Sequence, residues 1–312
     1  MKTTPVRFND RVAEALRNRA AVVALESTVI AHGLPAPLNL ETARACEDTV
    51  GRAGATPATI GIVEGRLAAG LSEEELAAFA GSSAAGGRRI EKVGLNNLAG
   101  VLARRGWGAT TVAGTLMIAH LAGLRVFSTG GIGGVHRGAA ESLDISADLT
   151  ALARYPLVCV SAGAKAVLDL AKTLEQLETL GVPVIGFRTR EFPAFYSRKS
   201  GLGLDLVVES AEEAARIAAC HWQTGSTTAV VIAVPVPEEF ELPFDQVERA
   251  CLVALEEAAR EGVRGKAITP FLLSRLEKLT HGDTLEANRA LLINNASVAA
   301  EIALSLARLD SL

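Results

Sequence analysis

Four short stretches of this 312-residue chain carry residue types that do chemistry. The first is TGGIGGVHR, Thr129 to Arg137, where four glycines fall in five positions after an apolar run. Glycine allows φ > 0 and close approach of main chain to a ligand, and amides exposed in such a loop can cradle an anion. The spacing is not the dinucleotide GxGxxG, because His136 stands where a glycine is needed, and no Gly-Lys-Ser/Thr follows to make a P-loop. Followed by His136 and Arg137, the segment reads as a ligand loop, with a plain tight turn as the alternative.

The second stretch is DISAD, with Asp144 and Asp148 four residues apart around Ser146 and Ala147. Two carboxylates and a hydroxyl are hard oxygen donors suited to Mg²⁺ or Mn²⁺. Capping of a helix by Asp144, with Asp148 solvated, fits the same spacing. The third is SAGAK, where Lys165 follows an apolar run and a turn of small residues. A lysine amine among small apolar neighbours is a setting for nucleophilic attack on carbon. An ordinary lysine at a helix start is the competing reading, disfavoured by the helix dipole. The fourth is ALESTVIAHG, in which Glu26 ends an apolar strand and Ser27, Thr28 and His32 follow. A carboxylate there is costly unless paired or used, and ligands of α/β sheets bind at strand ends. Capping of the next helix is its structural alternative.

Weaker signals surround these. Lys92 ends the short strand IEKVG, and Thr110 and Thr111 precede a helix whose N-terminus can take a phosphate. Asn288, Asn294 and Asn295 lie among apolar residues of the last helix, where a buried amide needs partners. TPFLL, Thr269 to Leu273, is expected to open a helix with Pro270 at its first position. His120, His221 and His281 show no metal-ligand spacing.

The elements that hold these residues alternate. VVALEST, ATIGIV, LRVFST, LVCVSAG, VPVIGF, LDLVVES and TAVVIAV read as strands, several buried on both faces. Between them lie segments of helical periodicity, and the chain is mostly helical from Phe244 onward. This predicts an α/β class, three layers α/β/α around a largely buried mixed sheet. One domain over 1–312 is expected, with residues 1–18 as an N-terminal arm. GSSAAGG, residues 81–87, reads as a surface loop.

About half of the residues are apolar and few are aromatic, as in a protein with a large aliphatic core. The formal net charge of −4, with no basic block, argues against nucleic acid as a partner. No signal-peptide pattern and no run of about eighteen apolar residues is apparent, so no membrane partner is expected. Cys46, Cys159, Cys220 and Cys251 are far apart without CxxC and are expected to be buried free thiols. Together these predict a cytoplasmic protein.

Several stretches coincide in order with one family. VALESTVIAHGLP, GATTVAGTL, TGGIGGVHRG, DISADL, AGAK, TLEQLETLGVPVIGF, EFPAFYSR, TPFLL and NNA resemble the pseudouridine-5′-phosphate glycosidases of the indigoidine synthase A-like family, roughly from Val23 to Ala303. The resemblance implies reversible cleavage of the C–C glycosidic bond of pseudouridine 5′-phosphate to uracil and ribose 5-phosphate. It implies a Lys-imine on a ring-opened sugar, one Mn²⁺ per subunit and a homotrimer. By motif, Lys165 matches the nucleophile, Glu26 the proton donor and Asp144 the metal position. Ser146, Ala147 and Asp148 match a substrate segment, Lys92 and Val112 further substrate contacts, and Asn288 a base-contacting amide. With Thr129 and His136 these make up the expected site.

One departure is plain. After Lys92 and Val93 the family pattern reads Ser-Arg-Arg-Asp-Leu-Pro, whereas this chain has Gly94-Leu95-Asn96-Asn97-Leu98-Ala99. Arginines are natural phosphate ligands, and Arg88 and Arg89 are the nearest replacements. The family's NPIPEE also appears here as VPVPEE, Val234 to Glu239. The change leaves open the same fold and chemistry on another C-glycoside or nucleoside, and a non-catalytic nucleotide-binding protein.

Overall fold

The computed structural model describes residues 5–81, 89–263 and 268–309. Arg88 and most of the loop expected over residues 81–87 lie outside them. Among the described residues eleven strands form the sheet: β1 (Val6–Phe8), β2 (Val22–Leu25), β3 (Thr56–Val63), β4 (Arg66–Ala69), β5 (Ile90–Val93), β6 (Trp107–Thr110), β7 (Val126–Ser128), β8 (Val158–Ser161), β9 (Val184–Phe187), β10 (Leu206–Val208) and β11 (Val230–Ala233). All seven strands read from apolar runs are present, together with the short one holding Lys92. Four-residue runs such as VVAL, VCVS and VVIA are buried throughout, because central parallel strands are covered on both faces.

The order is β1-β4-β3-β2-β7-β8-β11-β9-β10, with β6 also on β3 and β5 on β6. The central strands β2, β7, β8 and β11 are mutually parallel. The sheet is mixed because β3 runs antiparallel to β4 and β6. The parallel core aligns the C-terminal ends of β2, β7 and β8, from which Glu26, Thr129 and Lys165 emerge. The expected N-terminal arm is partly built into the sheet, since β1 pairs with β4 and Val12 is fully buried.

Helices cover both faces, giving the three layers. Helix 112–121 packs against β2, β3 and β7, and helix 283–309 against β2, β7 and β8. Their starts are locally encoded: Thr111, Ser146, Asp169 and Ser210 each cap a helix through a side-chain oxygen, satisfying an otherwise orphaned amide. Helix Asp283–Leu309 is long and apolar enough to cross a membrane, unlike what the sequence patterning led us to expect. In the structure it is a core element, with Asn295, Ala296, Ala299 and Ile302 fully buried. Cys46, Cys159 and Cys251 are buried free thiols as expected, while Cys220 is exposed.

Candidate active site

Glu26, Lys92 and Lys165, from the ends of β2, β5 and β8, line one cleft with His32, Gly130 and Asn288. Glu26 is not a helix cap. It directly follows β2, and its Oε1 accepts a very short hydrogen bond from Thr129 Oγ1 at the end of β7. Burial pushes its carboxyl above the usual carboxylate range; the charges of Lys165 and Lys92 and the Thr129 hydrogen bond oppose that rise. The sign matters for stability. An acid raised on folding penalises the ionised form, so Glu26 costs stability above its unfolded pKa and nothing well below it.

Lys165 does not start a helix. It lies in the loop after β8, and the next helix begins at Leu170, capped by Asp169. The loop is fixed by main-chain bonds from Lys165 N to Ile132 O (3.1 Å) and from Leu168 N to Lys165 O (3.0 Å). Lysine nitrogen and glutamic acid thus share a cleft without being bonded neighbours on one element.

The glycine loop works differently from the sequence reading. None of Gly130, Gly131, Gly133 and Gly134 has positive φ. They are required by close approach instead: a Cβ at Gly131 would lie 2.6 Å from the Phe195 ring, and one at Gly134 2.3 Å from Thr173 Oγ1. Several of the loop amides are taken up within the protein. The amides of Thr129, Ile132 and His136 donate to main-chain carbonyls, that of Gly133 to Asp148 and that of Val135 to Thr173. Arg137 is turned away to Glu248, with bonds of 2.5 and 2.7 Å.

Asp148 explains the rigidity of this loop. Its Oδ1 accepts from Ala113 N (2.9 Å) and its Oδ2 from Gly133 N (2.8 Å). One buried carboxylate therefore ties the first turn of helix 112–121, which begins at buried Val112, to the loop. That turn also favours a negative charge. Ser146 caps the following helix by accepting from Asp148 N (3.2 Å), and Ala147 is exposed. Asp148 is thus neither solvated nor paired with Asp144. Gly133→Ala is expected to place a methyl group 2.2 Å from Ser146 Oγ and 2.6 Å from Asp148 Oδ2. We expect it to lower stability by about 1–3 kcal/mol and to reduce turnover as well, measured by denaturant melts and initial rates.

Asp144 stands apart. It is half-buried, and its carboxylate makes no hydrogen bond or ion pair among the described residues. Its charge acts on the His136 ring, raising it, while burial and the charges of Lys165 and Lys92 lower it with a net downward result. His136 therefore lies within electrostatic reach of both lysines. Among the described residues no three His, Cys, Asp or Glu side chains converge as a metal cage.

The last helix contributes amides of two kinds. Asn295 is fully buried and donates to Thr129 O (2.8 Å), holding the start of the glycine loop. Asn288 lines the cleft and makes no hydrogen bond among the described residues. Asn294 reaches Pro235 O at 3.4 Å, outside the cleft. Of the other polar candidates, Thr110 belongs to a buried network with Ser27 and Thr115, and Thr111 caps its helix. Pro270 lies in the first turn of the described helix Ile268–Leu279, and Leu273 of that helix reaches the cleft.

The departure after Lys92 has a structural meaning. Asn97 Oδ1 accepts from Gly94 N and its Nδ2 donates to Lys92 O, both at 3.0 Å. Asn97 thus closes the turn and holds the main chain of Lys92. Arg89 is exposed and does not line the cleft. Phe195, which lines the cleft with φ of 66°, was missed from sequence. Its signal in the sequence was the aromatic pair Phe195-Tyr196 in EFPAFYSR.

The chain is similar to known proteins over nearly its full length. Residues 11–305 match the family model described as indigoidine synthase A like protein. A pseudouridine-5′-phosphate glycosidase of Caldanaerobacter subterraneus subsp. tengcongensis is 52% identical over 304 residues, covering 97% of each chain. One of Myxococcus xanthus is 50% identical over 303 residues, covering 97% of this chain and 99% of its own. Among solved structures, the prealnumycin C-glycosynthase AlnA in complex with ribulose 5-phosphate aligns with a TM-score of 0.90 at 39% identity, over 99% of both chains. An indigoidine synthase A-like protein of Thermotoga maritima aligns with 0.88 at 38%, over 99% of this chain and 98% of its own. The chain belongs to the indigoidine synthase A-like family, the family of those pseudouridine-5′-phosphate glycosidases.

Proposed function

We propose that the protein reversibly cleaves pseudouridine 5′-phosphate to uracil and ribose 5-phosphate, with Lys165 as nucleophile and Glu26 as proton donor. The observation that carries this reading is the meeting of Glu26 and Lys165 in one cleft, with the glutamic acid held protonated above its usual range. Similarity near 50% to proteins of that name over nearly the full chain supports the substrate.

A C–C glycoside has no leaving oxygen on its base, so the two-carboxylate route of ordinary glycosidases does not apply. In the proposed route Glu26 gives a proton to the ribose ring oxygen as the C1′–O4′ bond breaks. The uncharged Lys165 amine bonds to C1′ and passes a proton to the Glu26 carboxylate. Its lone pair then forms the protonated imine as the C1′–C5 bond breaks, the bonding pair staying on C5, which takes the proton from Glu26. Water from solvent hydrolyses the imine, releasing ribose 5-phosphate and the free lysine. Lys92 supplies positive charge for the phosphate, with His136 at the rim, Thr129 orienting Glu26 and Asn288 facing the base.

For Mn²⁺ the residues fit one mode. Asp144 offers a carboxylate with no protein donor, as needed by a hard cation whose other ligands are waters or substrate oxygens. When bound, such a cation supplies charge neutralisation and orientation of an anionic substrate. Chelation is expected to lower activity and added Mn²⁺ to restore it, and Asp144→Asn is expected to weaken Mn²⁺ binding measured by calorimetry. Insensitivity to exhaustive chelation would make Asp144 structural. We further propose a cytoplasmic homotrimer.

The reading is tested by coupling uracil to ribose 5-phosphate, with and without Mn²⁺, and by comparing pseudouridine with its 5′-phosphate in cleavage. With the family's two arginines absent, Lys92 is expected to keep selectivity, so that kcat/KM falls at least roughly ten-fold without the phosphate. Equal rates on both substrates would favour a different nucleoside, consistent with the C-glycosynthase among the structural relatives.

A further inference from the structure

The cleft has two parts. The catalytic part contains Glu26, Lys92, Gly130, Gly131 and Lys165. The adjoining recess is lined by the apolar Leu34, Pro35, Tyr196, Leu273 and Leu285 and by the polar Ser274, Glu277 and Thr284. His32, Gly33, Leu273 and Asn288 are common to both. The charged part suits a sugar phosphate, and the recess, apolar on some walls and polar on others, suits a flat heterocycle with a polar edge. Polar side chains at the junction therefore meet the edge of that ring.

His32 is one of these. It sits in the single π-helical turn Val29–Gly33 directly after Glu26, whose fold places its imidazole against the cleft. Its Nε2 is buried and has no hydrogen-bond partner among the described residues. A buried ring nitrogen without a partner is costly, and that cost is removed when a ligand completes the bond. Burial and the charge of Lys92 hold the ring below its usual protonation range, against a smaller opposing contribution from the Ile90 main chain. A neutral imidazole offers one donor and one acceptor. The open amide of Asn288 across the junction offers the same pair.

Uracil presents alternating carbonyl acceptors and N–H donors along its edge. A site that reads it needs an acceptor for an imide N–H, which neither Lys92 nor Lys165 supplies; Ser274, Glu277 and Thr284 line the recess alone, whereas His32 and Asn288 stand where it meets the catalytic part. We infer that His32 is a specificity residue that accepts a hydrogen bond from a ring N–H of the uracil base, beside Asn288. This inference rests on the proposed pseudouridine 5′-phosphate reading.

The test measures KM for uracil and for ribose 5-phosphate separately in the coupling direction, for the wild-type chain, His32→Phe and His32→Gln. Far-UV circular dichroism of each variant accompanies the kinetics. His32→Phe keeps an aromatic ring but removes the acceptor, and is expected to raise the uracil KM roughly ten-fold or more. The ribose 5-phosphate KM and reductive trapping of that sugar on Lys165 should stay within about two-fold, since neither involves the base. His32→Gln retains a donor and an acceptor and should recover most of the uracil affinity. An unchanged uracil KM in both variants overturns the inference, as does an equal loss for both substrates in folded protein. If His32→Phe does not fold, the outcome rests on His32→Leu and His32→Gln, and no difference between those two overturns it. A wild-type chain that fails to couple uracil at all overturns the functional reading, and this inference with it.

Discussion

Lys165→Ala is expected to abolish turnover, with a loss on the order of 10⁴-fold or more, while substrate binding persists. The nitrogen is the only protein group in the proposed route that forms a bond to C1′, so no side chain substitutes for it. The loop that carries it is held by main-chain bonds to Ile132 and Leu168, which the substitution leaves in place. Lys165→Arg is the sharper control. It keeps a positive charge near Glu26 but offers no free amine, because a guanidinium is not deprotonated in proteins. Both variants should be inactive and both should retain binding of the phosphorylated substrate by calorimetry. Activity in Lys165→Arg would reduce the lysine to an electrostatic role.

Glu26→Gln is the second large effect, with an expected loss of about 10²–10⁴-fold in kcat. The carboxyl must carry its proton when substrate binds, and burial keeps it protonated above the ordinary carboxylate range. Wild-type activity should therefore fall as pH rises through that raised pKa, and the residual activity of Glu26→Gln should lack this alkaline limb. Stability should move the other way. The ionised carboxylate costs the fold free energy above its unfolded pKa, so Glu26→Gln should melt higher than wild type at pH 8, with the difference vanishing near pH 4. The same alkaline limb in both proteins would assign the proton to another group.

Much of the site was legible because strand ends in a parallel sheet collect functional groups. Continuous β-branched runs placed β2, β7 and β8, and with them Glu26, Thr129 and Lys165. The strands missed, β1, β4 and β6, are short and lie in the part of the sheet with antiparallel pairing, where pairing across distance rather than local pattern makes the strand. The glycine loop was correctly marked as special but for another reason. Its need for glycine comes from Phe195, Ser146, Asp148 and Thr173, which reach it from elsewhere in the chain. Spacing alone joined Asp144 to Asp148. Two amides, from Ala113 and Gly133, take Asp148 for the scaffold, and they do not bond to Asp144. Among the three asparagines of the last helix, periodicity could not tell which faced which way. Asn288 and Asn295 lie seven residues apart, two turns of the same helical face; the first reaches the cleft and the second clamps Thr129 O.

The central claim is a covalent bond between Lys165 and the sugar. Borohydride added while the wild-type enzyme turns over, followed by peptide mass spectrometry, tests it directly. The account predicts a reduced ribose 5-phosphate adduct on Lys165 that is absent from Lys165→Ala and appears only when substrate or ribose 5-phosphate is present. An unmodified Lys165 in an enzyme that is demonstrably turning over would contradict it.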